Sequence, residues 1–182
     1  MKIAITGTHS TGKTTLLNSI KQDVRSEEML YRHKFFNELT RTIYKRGVTI
    51  NESGDDMTQL LTNNVHINNL LEENFISDRC IIDSYSYTRY LYQQGKVSKW
   101  VYDYSYKLLQ ELCSKYDYIF WLRPEFDLQV DDVRSNDIQF QKDIDKIIEE
   151  TIFMLDIKVH VLTGDVKNRT EQIFYQFLRD KR

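Results

Sequence analysis

The sequence predicts a three-layer α/β fold built around a parallel sheet, and three observations carry that expectation. The chain opens on a short β-branched apolar run, Lys2-Ile3-Ala4-Ile5-Thr6, as a strand buried on both faces would. Further apolar runs of strand length alternate with stretches of helical spacing, the order that parallel sheets with helical crossovers require. Between the first strand and the first helix, Gly7-Thr8-His9-Ser10-Thr11-Gly12-Lys13-Thr14 matches the phosphate-binding pattern G-x-x-x-x-G-K-[ST] without a mismatch.

Each part of that loop has a physical job. Gly7 and Gly12 permit backbone angles closed to residues with a Cβ, so successive N–H groups can turn toward one anion. A helix opening at Lys13 adds its positive end to the same spot. Lys13 reaches the outer phosphates as a point charge, and the Thr14 hydroxyl suits Mg²⁺. Gly7, His9, Ser10, Thr11, Gly12, Lys13, Thr14 and Thr15 are therefore candidate contacts to ATP. His9 reads as a spacer that offers its backbone rather than its ring.

Residues 14–25 continue as a helix with Leu16, Leu17, Ile20 and Val24 on one face. Residues 33–37 read as a second strand ending at Glu38, and 39–46 as a short helix stopped by Gly47. Residues 55–74 have helical spacing through Met57, Leu60, Leu61, Val65, Ile67, Leu70 and Leu71. Phe75-Ile76-Ser77 is a third strand running into Asp78-Arg79, and helices over 85–94 and 99–115 are separated at Gly95. Residues 118–122 form the clearest interior strand after the first. A polar stretch over 123–136 precedes a helix over 139–155. A last strand covers 158–162, Thr163-Gly164-Asp165 is a turn, and 167–179 form the terminal helix. Ligands should gather at the carboxyl ends of these strands.

A chain of 182 residues fits one domain spanning 1–182. At that size folding buries about 70% of the extended surface, enough for a core without staples. The 41% hydrophobic and 29% charged content is that of an ordinary globule, with no repeat or linker. A net charge of −2 gives no general attraction to nucleic acid or anionic membranes. Cys80 and Cys113 lack metal-ligand spacing and read as two reduced thiols. No signal peptide or membrane-spanning run is visible, so the expected location is cytoplasmic, away from membranes.

A phosphate loop alone fits a kinase, a switch or a motor, so the other strand ends must decide. Glu38, Asp78-Arg79 and Arg123 place charge there. Phosphoryl transfer needs a metal, cations on the moving phosphoryl, and a carboxylate that orients and deprotonates the nucleophile. Glu38 suits the carboxylate, Asp78 a hold on Mg²⁺, and Arg79 the transferred phosphate or the acceptor. The bland alternative for each is a solvated charge at a strand end.

The loop, Phe36-Asn37-Glu38-Leu39-Thr40-Arg41, Asp78-Arg79-Cys80 and Asp131-Asp132-Val133-Arg134-Ser135 together resemble the P-loop nucleoside and nucleotide kinases, from residue 1 to about residue 170. Within that superfamily the chain is similar to small phage and bacterial AAA-like proteins related to the ribosylnicotinamide kinase domain. More distantly it is similar to thymidylate and deoxynucleoside kinases. The resemblance implies a five-stranded parallel sheet and a lid over about 123–137. It implies Glu38 as the base, with Asp78-Arg79-Cys80 in the place of a Glu-Arg-Ser motif. Arg41 and Arg79 would clamp an acceptor phosphate, as in thymidylate kinases. Gly164 and Arg169 would meet the adenine end of ATP. Two departures stand out: Leu39 where a proline often follows the Glu, and Asp132 where the lid commonly carries Gly.

As a plain polar stretch, 123–136 is an exposed loop. As a lid it would swing Arg134 onto the transferring phosphoryl, with Arg123 counted among the ATP contacts. Tyr85 and Tyr87 are the aromatic residues nearest Arg79 and could line the acceptor pocket, most other tyrosines being structural. Asp83 could hold a sugar hydroxyl or cap the next helix. On a helix starting at Glu38, Arg41 would face the same pocket. The expected activity is therefore ATP- and Mg²⁺-dependent phosphoryl transfer to a small-molecule acceptor. A nucleoside monophosphate such as dTMP comes first, and a nucleoside is the alternative. A kinase of modified bases in DNA would need a basic groove that the charge distribution does not supply. A nucleotide-dependent switch with a protein partner would need a water-orienting residue and an apolar face. A homodimer is left open.

Overall fold

The structure, a computed structural model, describes residues 1–37, 39–125, 135 and 137–180, with 39–41 in backbone only. Among them are five strands: β1 (Lys2–Thr6), β2 (Lys34–Phe36), β3 (Phe75–Asp78), β4 (Tyr118–Leu122) and β5 (His160–Leu162). They form one all-parallel sheet in the order β2-β3-β1-β4-β5, the five-stranded sheet expected. The helices are α1 (Lys13–Gln22), α2 (Val24–Met29), α3 (Leu39–Lys45), α4 (Asp56–Asn69), α5 (Ile81–Gln93), α6 (Lys99–Leu112), α7 (Ile138–Met154) and α8 (Val166–Asp180). No described helix is long and apolar enough to cross a membrane.

Side chains alternate across the sheet and divide the core in two. Ile3, Ile5, Ile76, Phe120 and Leu122 pack against Leu16, Leu17 and Ile20 of α1 and Ile173, Phe174 and Phe177 of α8. On the other face Ala4, Phe75, Ile119 and Trp121 meet Ile81, Ile82 and Tyr85 of α5, Leu109 of α6, and Phe140, Ile144 and Ile148 of α7. Three layers result. The chain steps from β3 over β1 to β4, so the sheet's switch point lies at the carboxyl end of β1. Register sets Ile5 opposite Asp78 and Thr6 opposite Trp121, which brings three strand ends to one spot.

Three local expectations need correction. The first helix stops at Gln22, because Asp23 takes extended angles and its carboxylate accepts from the Arg25 N–H at 3.0 Å, capping α2. Val24, read onto the apolar face, is 79% exposed. The second concerns α4, whose buried face is Thr58, Gln59, Asn63 and His66, while Met57 and Leu71 are exposed. Third, the helix expected from Tyr85 begins four residues earlier, at Ile81. There the Asp83 carboxylate accepts from the Cys80 N–H at 2.9 Å.

Candidate active site

The phosphate loop leaves β1 at Gly7, with a φ of 143°. A Cβ there would stand 2.2 Å from the Leu122 carbonyl oxygen of β4, so no other residue fits. Gly12 is the N-cap of α1 at a φ of 86°, and there conformation rather than space demands glycine. Lys13 is buried, and its ammonium donates to the Thr8 carbonyl at 2.5 Å and to Thr11 Oγ1 at 3.2 Å. Thr14 Oγ1 donates to Asp78 Oδ2 at 2.5 Å. Ser10 has a φ of 58°, and Thr15 is exposed on the first turn of α1.

No group of three or more His, Cys, Asp or Glu able to hold a metal exists among the described residues. A hydroxyl beside one carboxylate nevertheless fits Mg²⁺, which takes one or two protein oxygens and completes its shell with phosphate and water. Thr14 and Asp78 are that pair.

His9 corrects its reading as a spacer. The residue is 3% exposed, and its ring stacks on Phe140 of α7 at 5.3 Å between centroids. Its Nδ1 lies 3.3 Å from Thr8 Oγ1 and 3.4 Å from the Tyr87 hydroxyl. Its carbonyl accepts from Gln141 Nε2 at 2.8 Å. The first turn of α7 is thereby seated on the loop.

Arg79 follows β3 at a φ of 81°, a left-handed conformation that costs an arginine about 1–3 kcal/mol. The turn aims its guanidinium between Asp83, at 3.5 Å, and the Tyr87 hydroxyl, also at 3.5 Å or less, with the Tyr87 ring centroid 5.0 Å away. Burial works against its charge, but Tyr87, Asp83 and Asp78 outweigh it and hold the guanidinium above its usual range. Asp83 is a structural anchor. Its oxygens accept from Thr6 Oγ1 at 2.9 Å, the Gly7 N–H at 3.1 Å and the Cys80 N–H, so the capping role prevails over the sugar-binding one.

Beside Arg79 opens a cleft lined by Ile43, Ile50, Asn51, Thr58, Gln59, Thr62, Arg79, Asp83, Ser84 and Tyr87. It encloses about 40 Å³. Behind it Asn63 Oδ1 accepts from Ser84 Oγ at 2.8 Å, and Gln59 pairs with Thr88 Oγ1 at 2.9 Å. Sequence reasoning missed Asn51, Thr58, Gln59, Thr62 and Ser84. The available signal was the spacing of Gln59, Asn63 and His66 on one side of α4.

Two other expected contacts are placed elsewhere. Tyr85 is 2% exposed and packs against Tyr102 and Tyr106 in the core, because its position on α5 faces α6. Arg123 is engaged by Asp145 at 3.0 Å and Glu149 at 2.6 Å and lies over Trp121, which ties the end of β4 to α7. Arg169 comes to the loop, and Gly164 is tied to it through Glu125. Arg169, 1% exposed, donates to the Thr11 carbonyl at 2.7 Å and meets Glu125, which also accepts from the Gly164 N–H. Glu38, Arg134 and the side chain of Arg41 lie outside the described residues.

A family model described as an AAA domain matches residues 2–169. No curated protein matches the sequence. Among solved structures the chain is similar to deoxyadenosine kinase from M. mycoides with the products dCMP and a flexible dCDP bound. That likeness has 20% identity and a TM-score of 0.68, and covers 98% of this chain and 99% of that one. The same kinase with bound dCTP aligns at 18% identity, TM-score 0.63, over 98% and 100% of the two chains. NadR protein in complex with NR aligns at 15% identity, TM-score 0.63, over 90% of this chain and 43% of that one. These likenesses establish the P-loop kinase fold.

Proposed function

The chain belongs to the AAA-domain family, and from the geometry of its site we propose that it is an ATP- and Mg²⁺-dependent nucleoside kinase. The observation that carries the choice of acceptor is the charge balance of the cleft. Among its described lining residues the only cation is Arg79, already engaged by Asp83 and Tyr87. The remaining polar lining is hydroxyl and amide. A monophosphate brings about two negative charges at neutral pH and needs guanidinium forks of its own, whereas a nucleoside is neutral. The structural neighbours include a deoxyadenosine kinase and a protein holding NR, which supports the same acceptor class.

In this reading the loop N–H groups and Lys13 hold the β- and γ-phosphates, and Thr14 with Asp78 holds the metal. Mg²⁺, when bound, neutralises charge on those phosphates. The acceptor hydroxyl oxygen bonds to the γ-phosphorus as the bond to the β–γ bridging oxygen breaks. Its proton passes to Glu38, the carboxylate that follows β2, and ADP leaves. Arg79 faces the acceptor.

ADP release measured against deoxyadenosine, deoxycytidine, other nucleosides and dTMP, each with Mg·ATP, tests the reading. At least one nucleoside should be turned over faster than dTMP, and Lys13→Ala should abolish the signal. Faster turnover of dTMP than of any nucleoside would reinstate the monophosphate acceptor and give Arg41 its charge to meet. No turnover of either class would end the kinase reading.

A further inference from the structure

We propose that Tyr87 is a positioning residue that holds Arg79 and His9 in one arrangement, setting the phosphate loop against the acceptor cleft. This rests on the kinase reading for its catalytic consequence and on geometry alone for the arrangement. Tyr87 sits on α5 and reaches three parts of the site at once. It lines the acceptor cleft. Its hydroxyl oxygen accepts from Arg79 Nη2 at 3.4 Å, and its ring lies under the same guanidinium at 5.0 Å. The hydroxyl also meets His9 Nδ1 at 3.4 Å, inside the phosphate loop. Phe140 of α7 packs edge-on against Tyr87 at 5.7 Å while stacking on His9, so one ring contacts both side chains.

The chemistry is directional. A guanidinium can only donate, so the Tyr87 oxygen is the acceptor of that contact. The hydroxyl and His9 Nδ1 share the second contact, and which of the two donates follows the imidazole tautomer. Thr8 Oγ1 lies 3.3 Å from the same nitrogen. The order runs Arg79 to Tyr87 to His9, from a residue facing the acceptor to a residue of the donor loop. Substrate contact is not required for this role. The tyrosine acts through its neighbours, whose placement decides whether acceptor hydroxyl and γ-phosphoryl come into line.

Tyr87→Phe keeps the ring under Arg79 and removes both hydroxyl contacts. In ADP-release kinetics with the preferred nucleoside, kcat should fall tenfold or more while KM for ATP and the melting temperature stay at wild-type values. Unchanged kcat would overturn the proposal. A tenfold rise in acceptor KM at unchanged kcat would make Tyr87 a substrate contact, and loss of activity in step with melting temperature would make it a core residue; either result overturns it too. A second measurement does not depend on turnover. In imidazole ¹⁵N spectra of the ligand-free protein, with His9 assigned through His9→Gln, the Nδ1 signal should move in Tyr87→Phe. A signal that does not move overturns the proposal even if no nucleoside is ever phosphorylated, and a signal that moves upholds the arrangement when the kinase reading itself fails.

Discussion

His66 shows what a single buried side chain costs the wall behind the acceptor cleft. It is 1% exposed on α4, and neither ring nitrogen meets a hydrogen-bond partner among the described residues. Burial pushes its pKa down from 6.5 to about 4, with Asp83 opposing and Arg79 reinforcing the shift. Between those values the unfolded chain binds a proton that the folded chain refuses, so stability rises with pH across the window. It is lost as pH falls from 6.5 toward 4, and the whole effect is on the order of 3 kcal/mol. Urea titrations should therefore show wild type losing about 2.5 kcal/mol more than His66→Leu between about pH 7 and about pH 4.5. Equal losses would mean that His66 is charged or solvated in the folded state. His33 and His160 also have lowered pKa values, which is why the variant and not the bare pH profile isolates His66.

At the scale of elements, α5 organises the site through its N-terminal box. The Asp83 carboxylate joins Thr6 and Gly7 at the end of β1 to Cys80 and Arg79 at the end of β3. Asp83→Ala would leave the half-buried Arg79 guanidinium with Tyr87 alone and three further donors without their acceptor. The expected loss is about 3–5 kcal/mol, read as a fall in the urea midpoint, with ATP affinity falling as well. Most of these elements were legible in advance. β1, the loop and α1 follow from local chemistry, since the β-branched run favours a strand and the two glycines permit the positive-φ turns that the loop needs. The faces of α4 were not legible, because hydrophobic spacing puts Leu60 and Leu61 inside but cannot announce a helix that buries Gln59, Asn63 and His66. The same limit applies to Tyr85 and Tyr87, two residues apart on α5. One packs against α6 and the other lines the cleft, and only packing separates them. Arg123 was misplaced for a related reason. Its partners Asp145 and Glu149 lie on α7, and no local pattern links them to the end of β4.

Over the whole molecule, the loop is written first and completed last. Gly7 rests on the Leu122 carbonyl, Gln141 holds the His9 carbonyl, and Arg169 holds the Thr11 carbonyl across 158 residues of sequence. The switch-point topology makes this unavoidable, because the neighbours of the central strand arrive only after the chain has travelled out to β2 and back. A ribosome-stalled chain with residues 1–160 exposed should accordingly bind Mg·ATP at least tenfold more weakly than one with the whole of α8 exposed. Equal affinities would show that the loop sets without Arg169. Synthesis runs at about 5–20 residues per second, so the interval between the motif and its last support is on the order of ten seconds. During that time the nascent chain carries the signature of a nucleotide site without its grip. A chain that stops short of α8 would then hold Mg·ATP at least tenfold more weakly than one that carries it.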